Sequence, residues 1–367
     1  MGQSKYKYQI ILYLFLLVLS ACNFNANKNN KNTRQVRDML GRGVSIPNNI
    51  KNIVALNAGT LRLIVWLDAT EFVCAVEGNE KKRQVPYLFA HPELREKPII
   101  GTGNMPEAEL LAATAPDVIF ATYMTKAEAD KLQERTSVPV LAVKYGNFND
   151  EIDTVYNTLR FMGGLLNRTN RAGKIIQYIE NTIADLENRT INIDNGNMPE
   201  AYIGGVAYRG SHGINSTEPN YPSFNFLNIK NVAGGLKKTM GSNSVNLTNA
   251  FIDKEQVIEW DPEFIFLDMA GVHPFNSQIL SEAWIGELSA FKAGRVYTVF
   301  PYNWYTTNYS TILVNSYFIG KFLYPLEFSD IDPDAKAAEI YHNLLGDNVY
   351  PEMVGHYGLA RKIPFTK

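Results

Sequence analysis

Tyr302, Trp304 and Tyr305 fall within four residues of one another, directly after the apolar run Arg295–Val299 and shortly before a second one, Thr311–Leu323. Flat rings with polar tips, gathered in one connection, suit a large planar or organic-shelled ligand. Arg209, next to Tyr208, adds a rigid fork of donors for carboxylate or catecholate oxygens. Tyr123, Tyr145 and His212 complete the candidate ligand-binding set. Each ring has a competing reading as core packing, and residue type alone leaves both open.

Other chemistries find less support. The five histidines, at 91, 212, 273, 342 and 356, are widely spaced, and the two cysteines form no cluster. A bare transition-metal site is therefore not expected. A metal already wrapped by an organic chelator needs no protein ligands, and the aromatic loops fit that better. Tyr208 or His212 as an axial ligand to haem iron stays an alternative. Arg209-Gly210-Ser211-His212-Gly213 lacks the first glycine of a nucleophile elbow. Gly101-Thr102-Gly103 lacks the third glycine of a dinucleotide loop. No catalytic residue and no resident cofactor are expected. The net charge is −2, from 35 basic and 37 acidic residues, and no basic face stands out, so nucleic acid is not an expected partner.

The elements that must position these residues repeat. Glu109 to Phe120 and Glu255 to Phe266 follow one pattern: an acid opening a short helix, a Pro-acid corner, then an apolar strand. A unit recurring at that distance indicates two similar lobes. Strands at Ile53–Leu56, Phe72–Val76, Val118–Ala121 and Val138–Ala142 alternate with helices, which argues for a parallel sheet. From Asp150 to Thr190 apolar residues recur at helical spacing, with a break at Gly163-Gly164 and Asn167. The expected fold is thus α/β: two lobes, each a mostly parallel sheet flanked by helices, joined by a long rigid helix, with a ligand cleft between them. The boundaries read as a leader over 1–21, a flexible tether over 22–35, an N-terminal lobe over 36–148, connecting helices over 149–192 and a C-terminal lobe over 193–367. Ligands of open α/β sheets sit beyond the carboxyl ends of strands. That rule selects the loops at Asn57–Thr60, Gly103–Met105, Tyr123-Met124, Lys144-Tyr145, Tyr208-Arg209, Met269–Gly271 and Tyr302–Tyr305.

The N-terminus sets the compartment. Lys5 and Lys7 precede an apolar stretch, Ile10–Leu19, too short to span a bilayer comfortably. Leu19-Ser20-Ala21-Cys22 looks like a bacterial lipobox, which would make Cys22 a lipidated first residue. The Asn- and Lys-rich segment after it cannot bury enough surface to order itself. Cys74 lies in the apolar run Phe72–Val76 and reads as an inert buried thiol.

At this point the chain resembles the solute-binding lipoproteins of ABC importers for iron chelates, haem and cobalamin. Asp38-Met39-Leu40-Gly41-Arg42, Ile53–Leu56, Pro98–Gly101, the two repeat copies and Ala290–Tyr297 carry the resemblance in order and spacing. It implies an extracytoplasmic, lipid-anchored, monomeric binding protein without enzymatic activity. It would hand an iron(III)-siderophore-type chelate to an ABC permease driven by its ATPase. Haem and cobalamin are the alternatives within the class; a lipid-anchored enzyme or an adhesin are distant ones. In that family an exposed glutamate on each lobe docks on permease arginines. The repeat supplies Glu109 and Glu255, with Glu107 competing in the first lobe.

Overall fold

The computed structural model describes residues 32–101, 106–236 and 249–363. Cys22, the leader, most of the tether and the loop Gly103–Met105 lie outside these. The tether ends earlier than its composition suggests. Thr33–Arg37 (β1) pairs antiparallel with Gly43–Pro47 (β2), so the lobe begins at Thr33 rather than residue 36. The turn between them explains the Asp38–Arg42 motif. Asp38 accepts from the backbone N–H of Leu40 and Arg42, and pairs with the Arg42 guanidinium at 2.9 Å. Arg42 also donates to the Val140 carbonyl, tying the hairpin to the sheet edge.

The N-terminal sheet has the order β4-β3-β5-β6, all parallel. Its strands are Ile53–Leu56 (β3), Val73–Ala75 (β4), Val118–Ala121 (β5) and Val140–Ala142 (β6). β3, β5 and β6 are buried throughout, as a parallel sheet covered on both faces requires. The helices are Thr60–Trp66 (α1), Ala108–Ala113 (α2) and Lys126–Thr136 (α3). α3 opens with a reciprocal cap between Thr125 and Glu128. α1 begins at Gly59, whose φ of +90° is left-handed; a Cβ there would overlap the Tyr145 ring. Cys74 is half-buried, its thiol on the Ile53 carbonyl and pushed up in pKa by burial, in keeping with an inert role.

Ile152–Leu165 (α4) descends from the gap side of this sheet, and Thr169–Thr190 (α5) crosses to the second lobe. The rod is tied at both ends. Arg171 near its start donates to the carbonyls of Trp66, Asn343 and Leu344. Arg189 at its end pairs with Asp185 and Asp330.

The C-terminal sheet has the order β12-β11-β7-β9, again all parallel. Its strands are Glu200–Gly204 (β7), Lys230–Asn231 (β9), Phe264–Asp268 (β11) and Val296–Val299 (β12). Ser216–Thr217 (β8) and Ala250–Phe251 (β10) form a separate small pair. Lys254–Trp260 (α6) precedes β11 as α2 precedes β5. The repeat extends to the backbone: Ala115 and Asp261, each just before the corner proline, both have positive φ, 44° and 34°. Tyr309–Leu323 (α7) is buried all round from Tyr309 to Gly320, which its unbroken apolar character demands. Pro333–Leu345 (α8) and Tyr350–Tyr357 (α9) close the chain, and Tyr357 donates back to the Gln84 carbonyl of the first lobe.

The lobes are less separate than the repeat alone implies. Each sheet buries its outer face in its own cluster, but the inner faces share one core through α1, α5 and α7. Aromatic rings stitch it: Tyr309 of α7 stacks on Phe148 and Tyr145 with centroids 4.5 and 4.9 Å away. The gap therefore sits above a continuous floor.

Candidate functional site

The carboxyl ends of both sheets face the gap, and a cavity of about 580 Å³ lies there. Loops after β4 and β5 supply Arg83 and Tyr123 from one lobe. Loops after β7 and β12 supply Tyr208, Arg209 and Gly210, then Asn303, Trp304, Tyr305 and Thr306, from the other. Five of the eight expected ligand residues meet here: Tyr123, Tyr208, Arg209, Trp304 and Tyr305.

Three do not. Tyr145 is buried, its hydroxyl held by Arg62 and donating to the Thr307 carbonyl at 2.7 Å, so it serves the floor. Tyr302 is buried with its hydroxyl on the Glu218 carboxylate. His212 braces its own loop through the Tyr208 carbonyl at 2.7 Å and an edge contact with Phe251. In each case a partner inside the fold takes the polar tip that would otherwise face a ligand. Met269–Gly271 forms a short turn capped by Asp268, and Asn57–Thr60 is bonded to Thr122; neither lines the cavity.

Two arginines of the first lobe were not legible as functional. Arg83 follows Lys81-Lys82 and reads as part of a solvated charge run, yet it is buried and lines the cavity. The buried Glu80 carboxylate pairs with it, Tyr87 donates to that carboxylate at 2.6 Å, and the guanidinium lies against the Tyr305 ring. Arg62 hides in the apolar run Leu61–Trp66 and sits under the gap.

Arg209 is exposed, makes no ion pair among the described residues, and holds its guanidinium 5.4 Å over the Tyr208 ring. Among the described residues the cavity lining thus has two guanidiniums, three phenols, an indole, an amide and a hydroxyl, but no carboxylate. Such a set selects an anion, with aromatic faces for its apolar bulk. A neighbouring cavity of about 450 Å³ shares Arg83, Trp304 and Tyr305, and adds Lys82 and His356. A larger hollow of about 680 Å³ lies at the opposite end of the strands, beside the start of α5. Its two arginines are already engaged, Arg168 on Glu71 and the Asp68 carbonyl and Arg171 on three carbonyls, which leaves Lys174, exposed at its edge.

Buried acids lie just behind the gap. Burial pushes the Glu77 carboxyl up to about 7, with the Glu80 charge adding to the rise and Arg83 opposing it. Burial pushes Asp268 up to about 8. Both hold their protons more tightly folded than unfolded, so the stability they confer is full at low pH and is lost as pH rises through those values. We expect the melting temperature at constant ionic strength to fall from pH 5.5 to 8.5, and Glu77→Gln with Asp268→Asn to flatten that slope. A melting temperature that climbs with pH over this range contradicts the assignment. Ionised Glu77 also offsets the Arg83 charge, so anion affinity should weaken over the same interval.

The fold and this gap define a class. The chain belongs to the periplasmic binding protein family, whose model matches residues 53–302. Binding proteins of this family are non-catalytic components of ABC importers. A curated relative, the molybdate-binding protein MolA of Haemophilus influenzae, is 25% identical over 340 residues, covering 87% of this chain and 93% of that protein. Its molybdate-bound structure superposes with a TM-score of 0.68 at 20% identity, over 86% of this chain and 98% of that one. A periplasmic solute-binding protein of Veillonella parvula gives 0.69 at 18%, over 89% and 97%. The petrobactin-binding protein YclQ of Bacillus subtilis gives 0.55 at 13%, over 79% and 97%. These likenesses establish the fold. No helix among the described residues is long and apolar enough to cross a membrane.

Proposed function

We propose that this binding protein captures an anionic, oxygen-rich metal complex of the iron(III)-siderophore type and delivers it to an ABC permease, held at the membrane by a lipid on Cys22. One observation carries the ligand class: Arg83 and Arg209 face one cavity from opposite lobes, among aromatic rings and without a carboxylate. The volume supports a chelate over a small ion. About 580 Å³, with a second cavity adjoining across Trp304 and Tyr305, is within the range of whole small-molecule sites. Tyr208, Trp304 and Tyr305 offer faces that a bare oxyanion would not use.

A second reading follows from the curated relative, which is named for molybdate. A tetrahedral oxyanion would bridge Arg83 and Arg209 and leave most of the cavity to water. Cobalamin fits the aromatic walls but makes less use of two opposed cations; haem would set its propionates on them but also wants an axial ligand, and His212 is turned to the Tyr208 carbonyl. Tryptophan fluorescence titration of the purified chain with an anionic ferric catecholate complex, molybdate, haem and cobalamin separates these. The proposal expects saturable micromolar-or-tighter binding of the ferric complex; saturation by molybdate alone replaces the chelate with a bare oxyanion. Saturation by haem alone would replace the siderophore-type chelate with haem, and saturation by cobalamin alone or by none of the four would reject an anion site.

A further inference from the structure

Arg62 is 1% exposed, lies in the otherwise apolar run Leu61–Trp66 and has no ion-pair partner among the described residues. Its ring neighbours are Tyr87 and Tyr145, with centroids 5.1 and 5.8 Å from the guanidinium carbon. One of its nitrogens, Nε, has no hydrogen-bond partner among the described residues. The Glu80 charge acts on it from beyond contact distance, but a guanidinium buried without a paired carboxylate still carries a large desolvation penalty that hydrogen bonds must offset.

Part of the compensation is local, from the Tyr145 hydroxyl and the two rings; the rest comes from the other lobe. Nη1 donates to the Thr307 carbonyl at 2.6 Å, and Nη2 to the Tyr305 carbonyl at 3.3 Å. Asn308 takes the alternate carbonyls of the same segment: its Nδ2 donates to Tyr302 and Trp304 at 3.0 Å and to Thr306 at 3.4 Å. Every carbonyl from Trp304 to Thr307 is thus held, two of them by Arg62 from the other lobe, beneath the gap. The segment needs holding. Tyr305 and Thr306 have φ of 54° and 57°, the left-handed region that a β-branched residue rarely adopts. Asn303, Trp304, Tyr305 and Thr306 are also the residues this segment presents to the cavity.

We propose that Arg62 is a positioning residue: its buried fork reaches from one lobe to the other and fixes the ligand-bearing segment Tyr302–Asn308 in its strained shape. It does not line the cavity. It works by ordering the aromatic wall before the solute arrives, which lowers the entropy lost on binding. The effect on affinity rests on the anion-capture reading above; the ordering of the segment does not.

Peptide-resolved hydrogen exchange on the ligand-free full chain tests this. Arg62→Met keeps the stem and deletes the fork; Tyr145→Phe keeps the ring and deletes the hydroxyl that bonds the Thr307 carbonyl and accepts from Arg62. Exchange across 303–308, including the Asn308 amide that bonds the Tyr302 carbonyl at 2.7 Å, should quicken at least tenfold in Arg62→Met. Tyr145→Phe should show a smaller rise, with β5 and β11 unchanged in both. Affinity for the ferric complex should fall in the same order. If Arg62→Met fails to fold, Tyr145→Phe decides. Unchanged exchange over 303–308 overturns the proposal, as does affinity lost with the segment still ordered, which would make Arg62 a direct ligand contact. A loosened segment in a chain that binds no anion would uphold the positioning role and reject the solute reading.

Discussion

Arg209→Ala weakens binding of the anionic complex at least tenfold, about 1.4 kcal/mol, without moving the thermal unfolding of the free protein. The side chain is exposed and makes no ion pair among the described residues, and the contact its removal loses is with the exposed Tyr208 ring, so the core is undisturbed. It leaves Arg83 as the sole guanidinium of the cavity, and Arg83 is partly neutralised by Glu80. Trp304→Ala costs a similar factor by a different route, through lost ring contact. Ionic strength separates the two. The Arg209 contribution shrinks in high salt because exposed charges are screened, whereas the Trp304 contribution persists. Calorimetric titration at two salt concentrations measures both. Affinities equal to the parent protein in both variants would mean that the solute uses other loops.

Reversing Glu109 and Glu255 to lysine together should abolish uptake in cells while leaving solute affinity intact. Both acids occupy the first turn of corresponding helices, α2 and α6, one per lobe, and both are exposed. Helix starts favour acids on dipole grounds alone, so placement does not by itself prove docking. Transport does distinguish the two. Charges at an interface rim set register and encounter rate, and reversal turns attraction into repulsion. A purely structural role would instead lower stability and spare uptake. Glu107, exposed just before α2, is the remaining candidate on that lobe. Uptake at the parent rate in the double variant removes Glu109 and Glu255 from the docking surface.

Much of the scaffold could be read from local pattern. Ile53–Leu56 and Val118–Ala121 are short apolar runs between turn residues, and they are strands with those bounds. The Pro-acid corner marks equivalent places because Ala115 and Asp261 share an unusual backbone state before their prolines. The hairpin β1–β2 escaped because its first strand is largely exposed and follows an Asn-rich stretch. The site was legible only in part, for a physical reason. Ring type says nothing about which end stays wet. Tyr145 and Tyr302 were expected in the gap, but Thr307 and Glu218 satisfy their hydroxyls inside the fold. Arg62 and Arg83 were missed for opposite reasons. One is masked by apolar neighbours in sequence, the other by lysines, and only tertiary contact gives either its place.

A crystal structure of the protein with its bound ferric complex tests the central claim most directly. The account predicts the complex between the lobes, with its anionic oxygens on Arg83 and Arg209 and a face against Trp304. A complex seated instead in the far hollow beside Arg168, Arg171 and Lys174 would contradict it.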